Sequence, residues 1–489
     1  MNTRSANKGL LGALIIIALL LGGLLVYGGY YLLGPGRGIV GNGGIIPGAG
    51  PVVDGNPLRL PELLEDLNPD PMVAEYVLQA KEGEMEFFEG KTTKTFGYNG
   101  NYLGPLIRMR EGESVSISVE NMLRDVTTVH WHGLEVDGGQ DGGPHDGIKV
   151  GEIWKPEFTV EQPAATLWYH PHLKGTTADQ VYMGLAGLIY IEDDVSDSLN
   201  LPKDYGVNDF PVIVQDRNFR ANGDFDHQTN MMGVVPGDTV LVNGSIEPFV
   251  EVNRGKVRLR LLDASNSENY SFTMSDGSSF QQVASDGGFL EAPVTRSRVF
   301  LSPGERAEVI VDFSQTQEDT VFLTIGSFKV LEFRISDKGP DTTEVPERLA
   351  SLPEVDEGAA TEERFFEMEA MGISGTINGK YFDMERIDEE VTLDDTEIWT
   401  VTTLGGGMMQ QGGHPFHIHG TQFRILTRNG RVPPPEERGY KDTVFVDIGE
   451  EVRLLVSFKH QGMFMYHCHI LEHEDFGMMG QFMVRPESD

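Results

Sequence analysis

The sequence predicts an all-β fold of three consecutive domains, each a β-sandwich or barrel of about 140 residues, preceded by an apolar N-terminal segment. Three observations predict this class. One turn-and-strand pattern occurs three times in the 489 residues. The 59 glycines indicate many turns, and no long stretch has the 3.6-residue periodicity of an amphipathic helix. A chain of this length is expected to form roughly two to four domains.

Residues 1–34 are predicted to be a membrane anchor or a signal segment. An uncharged apolar run, Leu10 to Leu33, follows two basic residues, and at 1.5 Å per residue it covers roughly 36 Å, enough to cross a bilayer. It ends in two tyrosines without a small-residue cleavage site, so we expect an uncleaved anchor. Residues 35–57 are rich in Gly and Pro, as a linker is. The protein is therefore expected outside the cytoplasm, periplasmic or at the cell surface, with residues 10–33 in the membrane.

The repeated unit begins at an Asn-Gly turn and continues into a strand that alternates apolar and polar residues. The turns are Asn99-Gly100, Asn243-Gly244 and Asn378-Gly379, and they lie 144 and 135 residues apart. The alternating stretches are 115–121, 257–261 and 398–401. A Gly-Glu pair before a further strand closes each unit, at Gly151, Gly304 and Gly449. Alternation of this kind is typical of a strand with one buried face.

Charge and cysteine content exclude several classes of function. The chain has 38 basic and 75 acidic residues, a formal net charge of −37. So acidic a surface repels phosphate backbones, and we expect no nucleic-acid binding. The single cysteine, Cys468, excludes an intrachain disulfide and a Cys-x-x-Cys zinc or iron–sulfur site.

Ten of the 13 histidines lie in four short clusters. The clusters read HWHG (130–133), WYHPH (168–172), HPFHIHG (414–420) and HCHILEH (467–473). In a strand, residues i and i+2 face the same side, so each His-x-His pair directs two imidazoles the same way. Four such pairs, two near each end of the chain, predict metal sites rather than ordinary core or surface histidines.

Cys468 lies between two of these histidines, so its thiol must face the opposite side of the strand. A thiolate, two imidazoles and a weak axial thioether form a blue-copper electron-transfer site. Candidates for the other ligands are His414, His473 and Met478. Electrons entering at the sulfur can pass through the backbone to His467 and His469. Zinc would fit some of the histidine sites, but it has no redox chemistry.

The four motifs, in this order, resemble those of the multicopper oxidases, the family of laccases, bilirubin oxidases, spore-coat laccases and copper-efflux oxidases. The resemblance extends from about Tyr98 to Val484. Within the family, the segments YNGNYLGP, GLEVDGGQDGGP and HPFHIHGTQFRIL look most like bacterial copper-efflux oxidases. The resemblance implies three cupredoxin-like Greek-key β-sandwich domains. We expect them at residues 58–200, 201–345 and 346–489, with no metal in the middle domain.

The resemblance also implies four coppers per chain. The type 1 copper would take His414, Cys468, His473 and axial Met478. The type 2 copper would take His130 and His417. One type 3 copper would take His132, His170 and His469, and the other His172, His419 and His467. The type 2 and type 3 coppers then form a trinuclear cluster between the first and third domains.

The implied reaction is one-electron oxidation of a substrate at the type 1 copper, coupled to four-electron reduction of O2 to water at the trinuclear cluster. Because that reduction consumes protons, acids are needed near the cluster. Asp141 and Glu474 match the proton-relay acids of the family; the alternative is that they are ordinary loop carboxylates. Asp442, in the segment KDTV, matches an acid near the type 1 copper of copper-efflux oxidases and is expected to contribute on the substrate side.

The expected substrates are phenol-like donors, Cu(I), or both. The Met-rich insert of copper-efflux oxidases corresponds here to residues 353–375, which are acidic and contain only Met368 and Met371. This difference disfavours the alternative of a dedicated cuprous oxidase for copper tolerance. Met408 and Met409 are better candidates for contact with Cu(I), because thioethers are soft ligands. Two further methionines, Met463 and Met465, are expected to pack in the core.

Two further alternatives come from other classes. A copper nitrite reductase has no type 3 pair, so four His-x-His motifs argue against it. A division-associated relative that keeps the fold and loses the coppers would not need the complete ligand set. A copper-sequestering protein is the other alternative, but such a set of sites should still catalyse the reaction. We expect a monomer whose partners are O2 and a small reductant.

Overall fold

The computed structural model describes residues 55–230, 233–405 and 412–487. Strands make up most of its regular structure, so the all-β prediction is confirmed. The predicted anchor, residues 10–33, lies outside the described residues, as do Met408 and Met409. Within the described stretches, no helix combines the length and the apolarity needed to cross a membrane.

The first described strand, β1 (Asn56–Pro57), pairs in parallel with a strand of the middle domain. Its partner residues are Pro248 and Phe249. The prediction that the linker extends through residue 57 is therefore wrong for its last two residues, because their backbone joins a sheet.

The first domain contains two sheets. Its strands are β2 (Val73–Phe88), β3 (Lys91–Tyr98), β4 (Ile107–Arg110), β5 (Ser114–Asn121), β6 (His130–His132), β7 (Ile153–Trp154), β8 (Glu157–Thr159), β9 (Ala165–His170) and β10 (Gly187–Glu192). One sheet has the order β3-β2-β5-β7, with β8 also on β5, and the other β4-β10-β9-β6. Helices α1 (Thr177–Tyr182) and α2 (Asp194–Ser198) and a 3₁₀ turn (Gly138–Gln140) lie in the connections.

The middle domain also contains two large sheets. Its strands are β11 (Asp209–Arg217), β12 (Thr229–Asn230), β13 (Gly233–Val234), β14 (Thr239–Val242), β15 (Ser245–Ile246), β16 (Pro248–Asn253), β17 (Lys256–Asp263), β18 (Tyr270–Met274), β19 (Phe280–Ser285), β20 (Gly288–Arg296), β21 (Val299–Leu301), β22 (Arg306–Asp312), β23 (Thr320–Ile325) and β24 (Phe328–Ser336). The sheet orders are β1-β16-β24-β23-β18-β21 and β15-β14-β11-β17-β22-β19-β20, and β12 pairs with β13.

The third domain has two five-stranded sheets. Its strands are β25 (Glu362–Met371), β26 (Ser374–Ile377), β27 (Glu389–Thr392), β28 (Thr396–Thr403), β29 (His414–Ile418), β30 (Phe423–Arg428), β31 (Thr443–Val446), β32 (Glu451–Ser457), β33 (Gly462–Cys468) and β34 (Met479–Arg485). The orders are β26-β25-β28-β32-β30 and β27-β34-β33-β29-β31. Helix α3 (Leu471–Asp475) precedes β34, and 3₁₀ turns lie at Glu357–Ala359 and Pro435–Glu437.

The three units share one pairing pattern: apart from the contact of β1 with β16, each sandwich contains two parallel strand pairs. These are β2 with β5 and β4 with β10, then β16 with β24 and β11 with β17, and finally β25 with β28 and β27 with β34. The alternating stretches of the sequence form the equivalent strands β5, β17 and β28. The predicted repeat is therefore a repeat of topology.

A carboxylate of the third domain joins it to the first. Asp475, at the end of α3, accepts hydrogen bonds from the backbone N–H groups of Gly175, Thr177 and Ala178 at 2.7, 3.1 and 2.8 Å. These N–H groups lie at the start of α1, where a helix has no internal acceptors for them. The contact fixes α1 against α3, close to the last histidine cluster.

Candidate metal centres

Two strand pairs bring the histidine motifs together. In the first domain β6 lies antiparallel to β9, so that His130 is opposite His170. In the third domain β29 lies antiparallel to β33, so that His417 is opposite His467. Eight imidazoles meet between these two domains, and at most 1% of the surface of each is exposed. They are His130, His132, His170, His172, His417, His419, His467 and His469.

Three of these imidazoles converge tightly on one point. The Nε2 atom of His172 lies 3.0 Å from that of His467 and 3.1 Å from that of His419, and the last two are 3.1 Å apart. Metal–imidazole bonds of about 2.0 Å place ligand nitrogens roughly 3–3.5 Å from one another. The three side chains can therefore hold one metal ion.

Two pairs with slightly longer nitrogen–nitrogen distances and one further ring complete the group. The Nε2 atoms of His130 and His417 are 3.5 Å apart, and His132 Nδ1 lies 3.4 Å from His170 Nε2. The ring of His469 lies with its centroid 4.9 Å from that of His132 and 5.4 Å from that of His170. Both nitrogens of His469 are buried without a hydrogen-bond partner among the described residues, so one of them is available to bind a metal.

Backbone carbonyl groups orient four of the rings. His130 Nδ1 donates to the carbonyl of Asp141 at 3.0 Å, and His417 Nδ1 to the carbonyl of Asp442 at 2.8 Å. His170 and His467 likewise donate to the carbonyl of the next residue, at 2.8 and 3.1 Å. A proton held on Nδ1 leaves the lone pair on Nε2 directed into the group.

Seven of the eight imidazoles have a pKa below the ordinary value of histidine, which favours their neutral form. Burial lowers the pKa of six of them well below the ordinary value, and the neighbouring imidazoles lower it further; these are His132, His170, His172, His417, His419 and His469. Burial also lowers the pKa of His467 to about 3. Neutral imidazole is the form that binds a metal ion.

The thiol of Cys468 faces the other side of β33, as predicted. Its Sγ atom lies 3.5 Å from His414 Nδ1 and 3.7 Å from His473 Nδ1. All three side chains are buried. Burial raises the pKa of the Cys468 thiol and lowers that of both histidines.

Met478 lies beside this second group. Its carbonyl accepts the N–H of Cys468 at 3.0 Å, and its own N–H donates to the carbonyl of His473 at 2.8 Å. The side chain is fully buried and packs against Gly375, where a Cβ atom would lie 2.5 Å from the sulfur. Met463 and Met465 pack in a separate apolar cluster with Phe382, as predicted.

Two predicted acids contact the imidazole group directly. The Oδ2 atom of Asp141 lies 2.7 Å from His419 Nδ1 and 3.4 Å from His130 Nδ1. Glu474 places one oxygen 3.4 Å from His172 Nδ1 and the other 3.4 Å from His467 Nδ1. Burial, assisted by the charge of Asp475, raises the pKa of Glu474 well above its ordinary value.

The prediction that Asp442 lies on the substrate side of the type 1 group is wrong. Its carboxylate is fully buried and accepts a hydrogen bond from His132 Nε2 at 2.9 Å. It is also bound by Arg306 at 2.7 and 2.6 Å and by Gln422 at 2.9 Å. Burial alone would raise the pKa of Asp442, but the Arg306 guanidinium holds it below the ordinary value. Strand β31 begins at Thr443 and lies beside β29, which directs Asp442 toward the eight imidazoles.

Sequence reasoning missed Arg306, which comes from the middle domain and is fully buried. The available signal was a basic residue directly after the repeated Gly-Glu pair at Gly304, at the start of strand β22.

The donor sets fit copper. A thiolate with two imidazoles is the soft set of a blue-copper site, and neutral imidazoles suit copper as well. The two sets are joined through the backbone, since Cys468 is bonded directly to His467 and His469.

Comparison with known proteins gives the family. Sequence profiles described as multicopper oxidase match residues 79–196, 216–334 and 344–488. The chain is 41% identical over 429 residues to the multicopper oxidase mco of Staphylococcus aureus, covering 88% of this chain and 92% of that protein. It is 38% identical over 458 residues to the cell division protein FtsP of Salmonella typhimurium, covering 88% and 93%. The crystal structure of a laccase from Pediococcus acidilactici matches with a TM-score of 0.84 at 40% identity, covering 88% of this chain and 94% of that one.

These matches confirm the resemblance seen in the motifs and the three cupredoxin-like domains. The chain therefore belongs to the multicopper oxidase family: it is an oxidoreductase that binds four coppers, of types 1, 2 and 3, and couples oxidation of a reductant to reduction of O2.

Proposed function

We propose that the protein is a laccase-like oxidase of broad specificity, which oxidises phenol-like donors and Cu(I). The observation that carries the proposal is the position of Cys468. Its sulfur contacts His414 and His473, while the two residues bonded to it belong to the eight-imidazole group. Copper, when bound, supplies the one-electron redox chemistry. The chain supplies a short covalent path between the site of oxidation and the site where O2 is reduced.

The proposed ligands are those that the family resemblance implies. The type 1 set is His414, Cys468, His473 and Met478. The type 2 set is His130 and His417, and the type 3 sets are His132, His170, His469 and His172, His419, His467. The convergence of three Nε2 atoms within 3.1 Å of one another supports the last set most directly.

The hairpin between β25 and β26 is the proposed contact for the reductant. The outward nitrogen of His473 donates to the carbonyl of Gly372 at 3.0 Å. The adjacent Met371 is 71% exposed. On β25, exposed Glu367 and Glu369 share the outward face with Met371. A soft thioether beside acidic side chains favours Cu(I), and an exposed apolar side chain is also compatible with an aromatic donor.

The alternative of a dedicated cuprous oxidase has less support. Met368, the other methionine of the stretch 353–375, is fully buried in the core of the third domain. One exposed methionine is therefore described in the stretch that corresponds to the Met-rich insert. The similarity to a protein described as a laccase also favours an oxidase that is not restricted to Cu(I).

Oxygen uptake with Cu(I) and with a phenol tests this proposal. We expect the copper-loaded protein to consume O2 with both. Consumption with Cu(I) alone would favour the dedicated cuprous oxidase, and consumption with neither would contradict the proposal.

We further propose that Asp141 and Glu474 deliver protons to the site of O2 reduction. Histidines that bind copper cannot take this role, whereas each carboxylate lies within 3.4 Å of the outward nitrogens of two imidazoles. Both are buried at the edge of the group, where one ordered water can complete a hydrogen-bonded path.

The remaining proposals rest on the sequence. They are a monomer with domains at 58–200, 201–345 and 346–489, a location outside the cytoplasm, and an uncleaved anchor at residues 10–33. N-terminal sequencing of the native protein tests the anchor: a mature chain that begins after about residue 35 would contradict it.

A further inference from the structure

We propose that the metal-free middle domain builds part of the trinuclear site, with Arg306 as a positioning residue that fixes His132 through Asp442. The inference rests on the proposed ligand set His132, His170 and His469. Sequence reasoning treats the middle domain as a spacer, because it has no histidine or cysteine ligand. In the structure it contacts one of these three imidazoles, His469, at Gly304 and reaches a second, His132, through Asp442.

His132 differs from the other rings in the direction that it faces. Its Nε2 donates outward to Asp442 Oδ1 at 2.9 Å, and its Nδ1 lies 3.4 Å from His170 Nε2 inside the group. In four of the other rings Nδ1 is the outward donor, and it is held by a backbone carbonyl. The inverted orientation of His132 therefore depends on a side chain, which can rotate unless it is held in place.

Arg306 holds that side chain. A guanidinium has five N–H donors in a rigid plane, and all five are used here. Two bind the two oxygens of Asp442 at 2.7 and 2.6 Å. The others donate to the carbonyls of Thr166, Gly304 and Asp286, each at 3.0 Å. These partners come from all three domains, so the plane of the guanidinium, and with it the plane of the carboxylate, is fixed.

The same turn of the middle domain also contacts His469. Gly304 has a φ of +87°, and a Cβ atom there would lie 2.9–3.0 Å from three ring atoms of His469. The backbone can approach the imidazole this closely only because residue 304 has no side chain. Gly304 and Arg306 together form a wall against which His132 and His469 are oriented.

The pair of Arg306 and Asp442 is fully buried, and the geometry is specific to arginine. A lysine at position 306 keeps the charge but cannot make two parallel hydrogen bonds to a carboxylate. Asp442 would then be held less firmly, with hydrogen bonds from Gln422 and Thr443 at 2.9 Å each remaining, and the direction of His132 would be less well fixed. Groups that orient metal ligands typically contribute about 10–100-fold to metal affinity or activity.

Arg260 offers a matched control. It is also a nearly buried arginine of the middle domain, and it binds both oxygens of Asp209, with Nε at 2.9 and 3.1 Å and Nη2 at 2.8 Å. It reaches the first domain through Thr166 Oγ1 at 3.1 Å. Arg260→Lys therefore makes the same chemical change in a buried ion pair within the middle domain, which does not touch the imidazole group.

The experiment compares the parent, Arg306→Lys and Arg260→Lys, each full-length and copper-loaded. Copper per chain is measured after dialysis against a competing chelator. Electron paramagnetic resonance reports on the type 2 copper, and visible absorption reports on the type 1 copper. Calorimetry measures the thermal stability of the copper-free protein. For Arg306→Lys we expect about 10–100-fold weaker retention of the trinuclear coppers and an altered type 2 signal, with unchanged blue absorption. Arg260→Lys should keep the parent copper content and signal.

Equal copper retention and equal spectra in Arg306→Lys and the parent would overturn the inference. So would an equal loss in both lysine variants, because the effect would then be general destabilisation. If Arg306→Lys does not fold, the neutral pair Arg306→Gln with Asp442→Asn replaces it and is expected to show the same loss. A parent that itself lacks the trinuclear coppers would contradict the proposed ligand set instead.

Discussion

Cys468 and His467 are consecutive residues of one strand that face two different metal-binding groups. The sulfur of Cys468 lies 3.5 Å from His414 Nδ1, whereas His467 Nε2 lies 3.0 Å from His172 Nε2 on the other side of the strand. Because neighbouring side chains of a strand alternate in direction, the shortest covalent path between the two groups is one peptide unit. This relationship makes the third domain the place where the two half-reactions are coupled.

The acids beside the imidazoles are expected to affect O2 reduction and not the blue site. Asp141→Asn and Glu474→Gln keep size and hydrogen bonding but remove the transferable proton. Each should slow reoxidation of the reduced protein by O2 by about 10²-fold, in line with general acid catalysis, and leave copper content near normal. Stopped-flow mixing of reduced protein with O2 measures the rate.

Asp137→Asn is the control for the acid variants, because Asp137 is an exposed carboxylate on the same segment as Asp141. Reoxidation of both acid variants at the parent rate across pH 5–8 would show that these acids are ordinary loop carboxylates.

The exposed methionine of the β25–β26 hairpin is expected to distinguish the two substrates. Met371→Ala should reduce the rate of Cu(I) oxidation severalfold and change phenol oxidation little, because only the metal ion uses the thioether as a ligand. Met72→Ala, which removes an exposed methionine of the first domain, is the control. Steady-state oxygen uptake gives the ratio of the rate with Cu(I) to the rate with phenol. An equal loss of both rates in Met371→Ala would show that Met371 does not contact Cu(I).

His227 is expected to make stability depend on pH. It donates from Nδ1 to Asp179 at 2.7 Å and from Nε2 to Glu472 at 2.8 Å, and so connects the middle domain with the other two. Burial opposes its protonation, but the two carboxylates outweigh burial and raise its pKa to about 9. Because the pKa of His227 is higher in the folded state, its protonation stabilises the fold. This stabilisation is complete below the pKa of the unfolded chain, about 6.5, and is lost as pH rises through about 9.

His227→Gln should therefore lower Tm at pH 6 by more than at pH 10. Thermal unfolding of the parent and the variant at both pH values gives the two differences. The same difference at both pH values would show that the charge of His227 does not contribute to stability.

The sequence predicted the histidine pairs well because the alternation of side chains along a strand is a local property. HWH and HCH needed only their strands to form, and the Asn-Gly turns and alternating stretches marked the strands of each repeat. The parallel pairing of β1 with the middle domain was not visible, because two residues after a Gly- and Pro-rich stretch carry no strand pattern.

The environment of Asp442 could not be predicted in the same way. Its neighbours His132 and Arg306 are separated from it by 310 and 136 residues, and they come together only through the packing of three domains. A carboxylate near a copper motif in the sequence can face either metal group. The direction was set by the register of β31 against β29, which the amino-acid pattern does not encode locally.

Copper content and visible absorption in the copper-loaded parent and in Cys468→Ser test directly whether Cys468 binds the type 1 copper. We expect a blue parent with four coppers per chain. The variant should lose the blue band, which arises from thiolate-to-copper charge transfer, and should lose O2 consumption with either substrate while keeping the trinuclear coppers. An unchanged spectrum in Cys468→Ser, or a parent with about one copper per chain, would show that the proposed copper sites are wrong.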